Sequence, residues 1–70
     1  MADLSKESRL KIVDSEMERV KEYQYLLEVR ARVWKKLGNR EMEANVAKEL
    51  TNTEVQMDVL NEERTSLTKT

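Results

Sequence analysis

Seventy residues, roughly half the size of a typical domain, carry 39% charged and 39% apolar side chains, a formal net charge of −1, one glycine, and no proline, cysteine or histidine. With Gly38 alone to supply positive φ, the chain lacks the turn residues that a multi-stranded sheet needs. Disulfides, thiolate chemistry, zinc–sulfur sites and the commonest metal ligand are excluded as well.

At the start of the chain, Met1-Ala2-Asp3-Leu4 has no basic stretch leading into an apolar block, so no leader peptide is expected. The longest apolar runs, such as Tyr25-Leu26-Leu27, fall far short of the roughly 20 residues that cross a bilayer. A cytoplasmic protein follows as the expectation. The abundant residues are Glu, Lys, Arg, Leu, Met and Ala, which lose little rotamer freedom in a helix.

A first helix is predicted from about residue 4 to 37, with Asp3 or Ser5 as its N-cap. From Leu10 the apolar residues recur in steps of three and four: Leu10, Val13, Met17, Val20, then polar Gln24, then Leu27, Ala31 and Trp34. This is a heptad seam with Leu10 at position a. The phase breaks at Gly38-Asn39, a residue suited to ending a helix followed by one suited to starting the next. A second helix is predicted from about 40 to 67, with a seam of Val46, Leu50, polar Thr53, Met57, Leu60, charged Arg64 and Leu67. Thr51-Asn52-Thr53-Glu54 matches a capping box that could interrupt it. The apolar spacing runs through that box and favours a continuous helix.

In an antiparallel pair, the numbers of facing residues add to a constant. Here Ala31 with Val46, Leu27 with Leu50, Gln24 with Thr53, Val20 with Met57, Met17 with Leu60, Val13 with Arg64 and Leu10 with Leu67 all add to 77. Each seam was chosen on apolar spacing alone, yet the polar gap in one lands opposite the polar gap in the other. Gln24 and Thr53 are therefore predicted to form a layer that sets the register, a device that penalises slipped pairings. Ion pairs are expected beside it, Lys21 with Glu54 and Arg30 with Glu49. The competing arrangement is one unbroken helix dimerising as a parallel coiled coil with a stutter, in which Gly38 would cost about 1 kcal/mol relative to Ala. The hairpin, a single module over residues 1–70 with its turn at 38–39, avoids that cost.

Of 27 apolar residues, 12 fill the two seams. Among the rest, Tyr23, Leu26, Val33 and Leu37 widen the first helix through positions g and c, and Met42 begins the second helix on the same flank. Ile12 and Val59 carry the flank toward the open end. One partner helix cannot cover so wide a face. A two-helix chain of this length also buries too little surface to be comfortably stable without association, metal or disulfides. The expected partner is therefore a second copy, giving a homodimeric four-helix bundle, or another helical protein. The plainer alternative is a monomer decorated with scattered apolar residues.

Charge is segregated. Residues 30–40 hold Arg30, Arg32, Lys35, Lys36 and Arg40 and no acid, while acids outnumber bases by seven to five in residues 1–29 and by seven to three in residues 41–70. This basic tip could dock on nucleic acid or an anionic membrane. Dipole complementation at a helix end is the ordinary use of such cations, exposed aromatics interleaved with the bases are missing, and so is a separate insertion face. The neighbouring pairs Glu16 and Glu18, Glu41 and Glu43, and Glu62 and Glu63 have no cleft to split their pKa values, and no nucleotide-binding or hydrolase motif is present. The sequence thus predicts a non-enzymatic adaptor, assembly or chaperone-like module without cofactor, metal or small-molecule substrate. It would work through Tyr23, Leu26, Val33, Leu37, Met42 and Val59.

Overall fold

The computed structural model describes residues 3–69; Met1 and Ala2, on which the leader-peptide expectation partly rests, and Thr70 lie outside them. Two helices, α1 (Lys6–Leu37) and α2 (Arg40–Thr68), pack against each other as an all-α hairpin about 51 Å long. That length follows from the 32 residues of α1 at about 1.5 Å each. Among the described residues there is no strand, and no helix is long and apolar enough to cross a membrane.

Both ends of the turn are tied by the two residues that the sequence marks. Gly38 takes φ 72°, and its N–H donates to the Lys35 carbonyl at 3.1 Å while the Asn39 N–H donates to that of Trp34 at 3.0 Å. These bonds satisfy carbonyls orphaned at the end of α1 in the Schellman arrangement. Asn39 then opens α2, its side-chain oxygen accepting from the Met42 N–H at 3.0 Å. At the far end Ser5, not Asp3, caps α1 by accepting from the Ser8 N–H at 3.1 Å. A methyl group at Gly38 would meet nothing within 4 Å, so Gly38→Ala is opposed by backbone strain alone. It should lower stability by about 1 kcal/mol in urea unfolding with no change in the radius of gyration.

The core is the predicted seam. Val13, Val20, Leu27, Val46, Thr53 and Leu67 are buried, and Leu10, Met17, Gln24, Ala31, Trp34, Leu50, Met57 and Leu60 are half-buried. Gln24 donates through Nε2 to Thr53 Oγ1 at 3.1 Å, and the Thr53 hydroxyl donates onward to the Leu50 carbonyl at 2.6 Å. Among the described residues no buried side-chain nitrogen or oxygen lacks a partner, so the polar layer sits in the core fully satisfied. Thr51 donates to the Ala47 carbonyl at 3.2 Å. The hydroxyls of the possible capping box thus bond back within α2, which stays continuous.

Arg64 departs from the predicted seam. It lies exposed and donates to Asp14 at 2.9 Å, because its long side chain can carry the guanidinium past Val13 toward water, where desolvation costs less. This is the one ion pair among the described residues. With both partners about half exposed it contributes roughly 0.2–1 kcal/mol. Lys21 with Glu54 and Arg30 with Glu49 do not pair within 4 Å.

Candidate docking surface

The 3.5-residue seam period leaves each helix two flanks, and the sequence makes them unequal. On one side, positions e carry Asp14, Lys21, Glu28 and Lys35 in α1 and Ala47, Glu54, Asn61 and Thr68 in α2, with Tyr25 exposed beside them at position b. Water satisfies the polar groups. On the other side, positions g and c of α1 carry Ile12, Tyr23, Leu26, Val33 and Leu37 interspersed with Glu16, Arg19 and Arg30, with Met42 and Val59 joining from α2.

The structure brings this second set to one flank and leaves it largely uncovered. Leu37 is 69% exposed, Val59 57%, Ile12 56%, Val33 49%, Leu26 42% and Tyr23 38%, whereas Met42 is half-buried. Two depressions run along the flank where α1 and α2 meet. The one nearer the turn is lined by Tyr23, Trp34 and Met42 among others, and the one nearer the open end by Val20, Val55 and Val59. In the wall of the first the Tyr23 hydroxyl donates to Glu49 Oε2 at 3.3 Å. Glu49 therefore has Tyr23, and not the expected Arg30, as its partner across the helices.

At the turn end, Arg30, Arg32, Lys35, Lys36 and Arg40 are all exposed. Lys35 and Lys36 occupy the last turn of α1, where cations complement the dipole. Glu41 and Glu43 stand in the first turn of α2 at the same end. They complement the opposite pole and reduce the local excess of positive charge. Among the described residues no group of three or more potential ligands could hold a metal ion.

Periodicity alone does not reveal two of these features, the Arg64–Asp14 pair and the Tyr23–Glu49 bond; Glu43, seven residues before Leu50 and opposite Trp34 in the same register, is half-buried as the seam period dictates. A signal for the first was present, since Asp14 occupies the e position beside the single charged residue of the seam. Compared with known proteins, the chain matches no family model, no curated protein and no solved structure.

Proposed function

We propose that this chain is a non-enzymatic protein–protein interaction module of the adaptor, assembly or chaperone-like kind, acting in the cytoplasm. Its docking surface is the flank of Tyr23, Leu26, Val33, Leu37, Met42 and Val59. The supporting observation is an excess on one side: of the nine large apolar side chains exposed among the described residues, Ile12, Tyr23, Leu26, Val33, Leu37 and Val59 lie along one flank of the hairpin, and only Tyr25 stands beside the e positions opposite. Such a strip costs free energy in water and is characteristic of a surface that becomes covered.

A photo-crosslinking side chain at Leu26 tests this against the same group at Lys21 on the polar flank. Protein adducts are expected at Leu26 and not at Lys21; equal yields, or none, would remove the reading.

The clustered bases favour a second reading, docking of the tip on nucleic acid or anionic lipid through Arg30, Arg32, Lys35, Lys36 and Arg40. Glu41 and Glu43 weigh against it. Binding of this kind would weaken steeply between 50 and 200 mM salt, roughly as the number of phosphates contacted. Salt-independent binding, or none, would discard it.

A further inference from the structure

We infer that the occupant of the apolar flank is a second copy of this chain, packed antiparallel along α1, with Tyr23 of each copy against Leu26 of the other. This inference rests on the flank being a docking surface and adds its partner and register.

The first ground is the pattern along the flank. In a two-fold dimer each contact occurs twice with the roles exchanged, so a strip that pairs with itself must match its own reversal. The arithmetic that placed Gln24 opposite Thr53 applies here with a constant of 49. Ile12 then faces Leu37 of the partner and Tyr23 faces Leu26, apolar against apolar. Arg19 faces Arg30, the one like-charged pairing between the two α1 helices in this register, which Glu16, one turn from Arg19, partly offsets. Val33 faces Glu16, whose carboxylate is within reach of Arg30 one turn away. In this register every large apolar residue of α1 on the flank meets the partner helix.

Charge supplies the second ground. A parallel dimer would bring two turn ends together, each with five cations against Glu41 and Glu43, a net of six positive charges at one end. The antiparallel register instead sets each tip beside residues 9–19 and 58–68 of the partner, where acids outnumber bases six to four. Like charges at short range are costly and opposite ones set orientation.

Area is the third. The exposed fractions of Ile12, Tyr23, Leu26, Val33 and Leu37 correspond to roughly 500 Å² of largely apolar surface, and the stems of Glu16, Arg19 and Arg30 between them bring it toward the ~800 Å² that each partner contributes to a stable interface. A matching strip on an identical chain is the right size to cover it.

Because the chain has no cysteine, single cysteines report geometry without background. The full chain should sediment as a dimer, and Leu26→Asp, at an exposed position, should weaken dimerisation about 100-fold while leaving the helical circular dichroism intact. Mixed Ile12→Cys and Leu37→Cys chains should form a disulfide-linked heterodimer, and neither variant should cross-link to itself. Self-cross-linking of Leu37→Cys would overturn the antiparallel register. A monomer at all concentrations would overturn the self-pairing, and adducts to a different protein at Leu26 would then leave the docking flank standing. A monomer with no adducts would end both.

Discussion

Leu27→Ala should remove more stability than any other single truncation, about 3 kcal/mol, and leave much of the chain unfolded at 25 °C. Leu27 is 2% exposed and occupies the middle of the hairpin. Its loss combines the missing transfer energy with a cavity that two rigid helices cannot close. Among the described residues the other buried apolar side chains are Val13, Val20, Val46 and Leu67, so the remaining core is small. Two-helix chains of this size have little reserve. Thermal and urea unfolding followed at 222 nm would measure the change. Tyr25→Ala, at a position 66% exposed, should shift stability by less than about 0.5 kcal/mol in the same experiment. Equal losses at the two positions would contradict the packing described.

The second large effect is at the polar layer, and it should depend on whether one partner or both are replaced. Thr53→Val deletes the acceptor of the Gln24 amide and the donor to the Leu50 carbonyl. Thr53 is 1% exposed and Gln24 half-buried, so water replaces the lost partner only in part, and the cost should be about 1–2 kcal/mol. Replacing both residues, Gln24→Leu with Thr53→Val, should recover that loss and exceed the parent stability, because apolar packing then replaces a satisfied but costly polar pair. The gain should come at the expense of uniqueness: amide resonances near residues 24 and 53 should broaden as neighbouring registers become accessible. A double variant no more stable than Thr53→Val would show that the layer is not an isolated pair.

Much of this architecture is written in residue spacing. The seams identify the core because the 3.5-residue period is a direct consequence of helix geometry. The coincidence of Gln24 with Thr53 fixes the register for the same reason. Helix ends were legible to within two residues, since Gly38 and Asn39 each suit one backbone task. At the other terminus Asp3 and Ser5 are both good caps, and spacing cannot choose between them; the structure selects Ser5.

The directions of long polar side chains were not legible. Arg64 falls on the seam by count but reaches Asp14 instead, and Glu49 is taken by Tyr23 rather than Arg30. These choices rest on differences of tenths of a kcal/mol between exposed partners, which a periodic pattern does not encode. The flank was legible as a set of positions. Its exposure required the structure, because whether α2 covers Leu26 or Leu37 depends on how far the two helices wrap.

The distance between α1 and α2 at matched levels tests the account most directly. Spin labels at the exposed positions Glu18 and Asp58, in a chain diluted with an excess of unlabelled protein, report it within one molecule. The hairpin, 21 Å across, predicts a narrow distribution near about 20 Å, given label reach and the separation of packed helices. A single unbroken helix would instead place the labels about 60 Å apart. That result would dissolve the turn at Gly38 and with it the apolar flank.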